Sequence, residues 1–388
     1  MSTLKVNTIR HTGASSDAVT LASDGSCTAK ITNNLSNRRI NINGSMSIAQ
    51  RATSVTGVTT SGYRTCDRQQ ISISSLGTWT ITQESDGPDG FSKSLKALCT
   101  AADGSPDAGN YAVYFHSIEA QDLQQLAYGT SNAKAMVLSF WVKSNKTGNA
   151  TLELQQNDAG NKRVTPQYSI SSANTWEKKT ISIPGDTSGV IHDNNGAGIR
   201  IGWWFNSGST YTGGSHRSTW TASANPDRNP SNLGVGGAVN DYFQITGVQL
   251  EVGDGATDFE HRTFADELLR CQRYYWKSYD YSVAPGTASD PGSIFGRNYH
   301  TSSKSQNSLD VRFTVPMRDT PTTINGYAVL SGTIAKVSTD ASNAVSCDVE
   351  NTINDINMLG ERGFSSISTA SIPGTDFFGA HFTADAEL

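Results

Sequence analysis

Residues 244–277 read QITGVQLEVGDGATDFEHRTFADELLRCQRYYWK, and the period of the chain changes inside them. From Phe243 apolar and polar residues alternate, but Phe243, Ile245 and Gly247 cannot all supply one apolar face. The alternation therefore slips near Thr246-Gly247-Val248. After the slip Val248, Leu250 and Val252 are in phase, as in a half-buried strand. Gly247 is a natural bulge, and Gly253-Asp254-Gly255 ends the strand in a turn. From Thr263 the period is helical. Thr263 and Asp266 have capping-box spacing, and Phe264, Leu268, Cys271 and Tyr275 follow at steps of four, three and four. Three large side chains, each worth about 1.5–3 kcal/mol when buried, exceed what a short helix gains from propensity. This stripe must pack on something: its own chain, or the same helix of sister chains. Its steps suit a short coiled-coil seam, although barely two heptads fall short of a free coiled coil.

Outward from this stretch the chain is polar, turn-rich and aromatic. With 36 Gly, 13 Phe, 13 Tyr and 7 Trp in 388 residues, it is too aromatic for a disordered chain and long enough for two or three domains. Short aromatic segments broken by Gly, Asn, Ser and Thr predict a mainly β protein. A net charge of −5 gives no basic footprint for nucleic acid, and Arg38-Arg39 and Arg270 with Arg273 read as local features. Cys27, Cys66, Cys99, Cys271 and Cys347 are odd in number and lack a C-x-x-C pair. They argue against a disulfide framework or zinc site and fit folding in a reducing cytoplasm. Met1-Ser-Thr-Leu-Lys-Val6 lacks the apolar core of a signal peptide. No run approaches the ~18 apolar residues of a membrane span, so membrane insertion is not expected.

The spacing predicts four regions. Residues 1–44 carry only small apolar beats (Leu4, Val6, Ile9, Val19, Leu21, Ile31, Ile40, Ile42) and cannot close a core. They read as a flexible leader or, as we favour, an extended attachment and oligomerisation segment. Residues 45–262 hold nine candidate strands: Ile71–Ser74, Thr78–Gln83, Leu95–Thr100, Tyr111–Ser117, Lys134–Lys143, Ala150–Gln155, Thr175–Ile183, Gly198–Phe205 and Tyr242–Val252. They suit a jelly-roll β-sandwich. Residues 263–277 form a connecting helix, and 278–388 a distal β-rich domain. In the latter Leu309, Val311, Phe313 and Val315 alternate until Pro316, which lacks an N–H, ends the ladder.

Val248-Gln-Leu-Glu-Val-Gly253, Ala256-Thr-Asp-Phe-Glu260, Arg262 and Glu267-Leu-Leu-Arg-Cys-Gln-Arg-Tyr-Tyr-Trp276 together resemble a junction of bacteriophage tail-fibre and related virion structural proteins. There a jelly roll similar to a carbohydrate-binding module leads through a helix into a distal β domain. Ser2–Ile9 resembles the N-termini of marine phage (cyanophage-type) structural proteins. Val315-Pro-Met-Arg-Asp-Thr-Pro-Thr322 and Phe382-Thr-Ala-Asp-Ala-Glu-Leu388 resemble such distal domains. The resemblance implies a homotrimeric, non-enzymatic protein of the virion, made and folded in the host cytoplasm. Its N-terminal segment would join other tail or capsid proteins, and it would adhere to host-surface glycan. The alternatives are a purely structural capsid- or tail-decorating protein, and a polysaccharide depolymerase. The absence of a repeat of about 20–50 residues argues against a long β-helical tailspike.

No catalytic constellation stands out. Glu84 with Asp86, and Asp254 with Asp258 and Glu260, are paired only by proximity and read as turn or surface residues. There is no G-x-S-x-G and no H-E-x-x-H, and the seven His are solitary. No metal site is expected. A structural calcium is the one cofactor a jelly roll commonly admits, and His192-Asp-Asn-Asn-Gly196 is oxygen-rich but lacks EF-hand spacing. The aromatics are the better lead. In Ile199-Arg-Ile-Gly-Trp-Trp-Phe-Asn206 one face is apolar, which leaves Trp204 as an outward ring beside Arg200. A long Gly/Ser/Asn-rich loop with Tyr211, His216, Arg217, Trp220 and Asp227 follows, and loops of this length often carry function. These six residues are the expected glycan contacts. The competing reading is that Trp204 and Trp220 cover the core or meet another subunit.

Overall fold

Alternation along the middle of the chain is realised as two stacked antiparallel sheets. The computed structural model describes residues 5–15, 17–23, 25, 27–29, 37–158, 160–222, 224–301, 304–339, 349–369 and 377–388. One sheet sets six strands side by side: Glu177–Ile183, Met136–Ser144, Tyr242–Val252, Ser94–Ala101, Thr78–Glu84 and Ser54–Val58. The other has seven: Lys162–Val164, Gly148–Gln156, Ala197–Ser207, Tyr111–Glu119, Gln70–Ser74 and Gly62–Tyr63 in order, with Gln167–Ile170 also on Gly148–Gln156. Sequence neighbours repeatedly cross between sheets, which makes this a jelly roll. Between them lies one core that includes Trp79, Tyr114, Phe140, Trp203, Phe205 and Phe243. All nine expected strands are present. The four additional ones span two to five residues, too short to show a period.

The slip at Gly247 is a true bulge. Ser139 pairs with Gln249 but Trp141 with Thr246, so the strand carrying Gly247 has one extra residue there. Gly247 has φ 61°, and a Cβ there would lie 2.8 Å from both Phe91 and Trp141. The bulge resets the phase, so Phe243 and Ile245 before it and Val248 and Leu250 after it all enter the core.

The distal domain is one eight-stranded antiparallel sheet. Its last strand, Phe377–Asp385, pairs with Tyr275–Lys277, Ile294–Thr301, Thr323–Ala328 and Lys336–Thr339, which curls the sheet closed. Leu309, Val311 and Phe313 are buried as their alternation requires, but the strand ends at Arg312, before Pro316. At the other end of the chain, Thr8–Ile9, Val19–Leu21 and Cys27–Ala29 form a small sheet, and its Ile9 and Leu21 and the preceding Val6 are exposed. No described helix is long and apolar enough to cross a membrane.

The joint between the two β domains departs most from expectation. The helix spans Phe264–Gln272 and is capped as expected: the Thr263 hydroxyl accepts from the Asp266 amide at 3.2 Å. Its stripe packs on its own chain. Cys271 is buried with Ile42, Ile48 and Tyr274, and Leu268 and Leu388 lean on the same cluster. Tyr275 has left the helix for a strand and is buried too. Of the stripe Phe264–Leu268–Cys271–Tyr275, Cys271 and Tyr275 are closed within their own chain, while Leu268 is half-buried and Phe264, 51% exposed, packs edge to face on Tyr281 at 5.0 Å. Residues 39–44, expected in the N-terminal segment, are embedded here as well. The Ile40 amide donates to Leu250, and Asn41 brackets Val248 and Leu250.

Charge closes the joint. Arg39 pairs with Glu267, and Arg68 with Glu387. Arg51 lies 2.9 Å from Asp385 and 3.3 Å from Glu387, and Arg273 makes two 2.8 Å bonds to Glu119. The Tyr63 hydroxyl donates to the carbonyl of Leu388 at 2.8 Å, so the end of the described chain is pinned onto the jelly roll. Arg318 and Asn195 exchange side chain–backbone hydrogen bonds across the domains at 2.9 and 2.8 Å. The two domains meet through buried, charge-matched contacts rather than through a helix alone.

Candidate functional site

The seven-stranded sheet has one face in the core and one facing away from it. On Ala197–Ser207 the core takes Ile199, Ile201 and Trp203, so Arg200, Gly202 and Trp204 point the other way. Register fixes their neighbours. Arg200 stands beside Ser117 and Gln155, Gly202 beside Phe115 and Glu153, and Trp204 beside Val113. Gly202 is small for a reason: a Cβ there would come within 2.7 Å of the Phe115 ring, which lies across it. The Arg200 guanidinium in turn lies 4.1 Å from the centre of that ring. Next along the face, Trp204 sits 5.9 Å from Tyr111 and 5.4 Å from Tyr211, and the Arg228 guanidinium lies 5.0 Å from it. Tyr111 and Tyr211 are half-buried and pack edge to face at 5.5 Å.

The charge on this face is unbalanced. Glu153 is fully buried and takes ion pairs from Arg163 Nε at 2.5 Å and Arg228 Nε at 2.9 Å, plus a 3.0 Å hydrogen bond from Trp204 Nε1. Among the described residues Arg200 pairs with no carboxylate. Its Nη2 donates to Gln155 Oε1 at 3.1 Å, and Arg163 Nη2 donates to the same oxygen at 3.0 Å. Gln155 is held in this orientation because its Nε2 donates to Asn157 and Asn161 at 2.8 and 2.9 Å. Burial lowers the pKa of both Arg163 and Arg200; Glu153 opposes the shift and Arg228 adds to it. A guanidinium stays charged even so. Three cations therefore share one anion.

Of the six expected glycan contacts, this face holds two. Trp204 is on the expected side of its strand but is not an outward ring. It is 0% exposed, because Tyr211 and Arg228 reach over it from the following loop. Tyr211 borders it and remains partly open. Trp220 is 9% exposed, packs edge to face on Tyr128 and donates to the Pro184 carbonyl at 2.7 Å, so it covers the core. His216 uses both ring nitrogens, toward the Thr165 carbonyl and the Ser231 hydroxyl. Arg217 holds Asp227 through bonds of 2.8 and 2.6 Å, and Asp227 also accepts the Ser215 amide. This trio builds the loop rather than facing the sheet. The sequence reading missed Tyr111, Phe115, Glu153, Gln155 and Arg163. The alternation Tyr111, Val113, Phe115 and Ser117 could have placed Phe115 there, whereas the convergence of the arginines is tertiary.

The other candidates hold local structure. Asp86 is drawn below the usual carboxylate range, against the cost of burial, by Lys143, Trp176 and Gln244. Glu84 lies 3.8 Å from Lys96, Asp258 offers its carbonyl to Gln249, and Glu260 accepts the Arg39 amide. In the turn considered for calcium, Asn194 accepts the Gly196 amide and Asn195 bonds the distal domain. Among the described residues no three His, Cys, Asp or Glu side chains stand together as metal ligands. Surface concavities of about 530 and 300 Å³ lie on the distal domain, around Asp310, Arg312 and Met358 and around Ile324 and Ile353. The larger has one exposed ion pair, Arg312 with Asp310 at 2.9 Å.

No protein-family model matches the chain, and no curated protein matches it. Solved structures similar to it include the enzymatically active domain of tailspike protein 4 of bacteriophage CBA120, at 13% identity and TM-score 0.28, covering 57% of this chain and 22% of that one. A CBM4 chain is similar at 12% identity and TM-score 0.28, covering 54% of this chain and 98% of its own. A CBM61 chain complexed with β-1,4-galactotriose is similar at 10% identity and TM-score 0.25, covering 48% and 88%. The chain spans about a fifth of the tailspike and nearly all of the CBM4 chain. Likenesses this remote define no function.

Proposed function

We propose that this is a non-enzymatic phage virion protein of the tail-fibre class that binds host-surface glycan through the outward face of its seven-stranded sheet. One observation carries the reading. Across that face, half-open tyrosines (Tyr111, Tyr211) adjoin a fixed row of guanidinium and amide groups (Arg200, Arg228, Gln155). Sugars need both: rings for their C–H faces and pre-oriented polar groups for their hydroxyls. The sequence resemblance of residues 248–276 to tail-fibre junctions supports the same class. In a homotrimer on the virion, three weak sites act together, and avidity exceeds the affinity of one. The exposed Val6, Ile9 and Leu21 of the N-terminal sheet suit contact with sister chains or other virion proteins. The purely structural alternative is favoured by one fact, that Trp204 and Trp220 are both closed over within their own chain.

A glycan array read with the full chain tests the proposal. Binding to at least one carbohydrate class is expected, weakened about tenfold or more in the Tyr111→Ala, Tyr211→Ala double variant, in line with the loss of two ring contacts. Binding to no glycan leaves the structural alternative. Undiminished binding by a folded double variant removes the site from this face.

A further inference from the structure

Across the joint Arg39 faces Glu267, Arg273 faces Glu119, and Arg51 and Arg68 face Asp385 and Glu387, whereas on the outward sheet face cations outnumber carboxylates. Glu153 is shared by Arg163 and Arg228, and Arg200 makes no ion pair among the described residues. Arg200 is half-buried, its Nε has no hydrogen-bond partner, and Arg163 Nη1 has none either. Charged donors left without an acceptor at a partly desolvated site are costly unless something arrives to accept from them. The stacking of Arg200 on Phe115 and the fixed carbonyl of Gln155 hold its planar fork before any ligand arrives. The protein as a whole carries −5, so attraction of an anion here is local rather than a property of the whole surface.

We infer that the glycan taken by this face is anionic, with a sugar carboxylate or sulfate seated on Arg200 and the sugar ring against Tyr111 and Tyr211. The inference rests on the glycan reading above. A guanidinium fork matches either oxyanion with two parallel hydrogen bonds, and the added negative charge balances the cluster.

The test uses the full chain and two matched pairs of polymers: polygalacturonate against its methyl ester, and dextran sulfate against dextran. Within each pair the sugar backbone is shared and the anionic group differs. At least one anionic member should bind about tenfold or more tighter than its neutral partner, the scale of a lost charge-assisted hydrogen-bond pair. The preference should shrink as salt is raised. Which pair responds tells carboxylate from sulfate. Arg200→Gln should abolish the preference, and Arg200→Lys, which keeps the charge but not the fork, should retain part of it. Equal binding of charged and neutral partners overturns the anion inference and leaves the glycan reading intact. A preference that survives in Arg200→Gln overturns the assignment to this face. If neither anionic polymer binds while neutral glycans on the array do, the anion inference fails. Failure to bind any glycan overturns both readings.

Discussion

The domain joint and the outward sheet face are built from the same residue type and differ in how its charge is met. In the joint Arg39, Arg51, Arg68 and Arg273 face Glu267, Asp385, Glu387 and Glu119. On the sheet face Arg163 and Arg228 share Glu153, and Arg200 is held by the Gln155 amide oxygen instead. Matched buried charge holds two domains together, because either partner alone would be stranded in a low dielectric. Under the proposed function, the unmatched charge of the half-buried Arg200 is what an anionic ligand would meet.

The largest expected effect is at Arg68. Arg68 pairs with Glu387, donates to the Ser117 carbonyl at 2.7 Å and lies 3.4 Å from the Tyr274 ring centre. Arg68→Ala should cost about 3–5 kcal/mol, as removal of one member of a buried pair does, and calorimetry should show a lowered Tm. Arg200→Gln should leave Tm within about a degree or two, since it breaks no ion pair. Equal losses in the two variants would erase the distinction between joint and face.

Two further variants probe the joint and the core. Leu268 is half-buried against the joint cluster, so Leu268→Ala should cost about 1–2 kcal/mol, roughly half the value of full burial. Light scattering on the folded variant should show an unchanged mass, because this side chain meets its own chain. A change of mass would restore the helix as a subunit seam. The last effect is in pH, slight near neutrality and growing as acid is added. Burial holds His116 at about 3, below its ordinary 6.5. Between those values the unfolded chain binds a proton that the folded chain does not, so stability falls as pH drops from 6.5 toward 3. The slope from this group is about 1.4 kcal/mol per pH unit, and urea titrations of His116→Gln should show it removed.

Strands were legible in the sequence where alternation ran long enough, as in Tyr242–Val252 with its slip at Gly247. Edge strands such as Gly62–Tyr63 were not, because two residues have no period. The helix stripe had the right phase and an unreadable partner: Phe264, Leu268 and Cys271 look the same in sequence whether they meet Ile42 and Ile48 or a sister chain. The site was half legible for a similar reason. Alternation put Arg200 and Trp204 on one face correctly. What covers Trp204 is Arg228, 24 positions on, and what leaves Arg200 unmatched is the pairing of Glu153 with other arginines. Charge balance is a property of places rather than of positions in a chain.

Photo-crosslinking locates the proposed binding face. A diazirine-bearing form of whichever glycan the array selects would be irradiated with the full chain and the adducts mapped by peptide. The account predicts adducts within Tyr111–Glu119, within Ala197–Ser207 and at Tyr211 or Arg228. Adducts confined to the distal concavities around Met358 or Ile353 would contradict it.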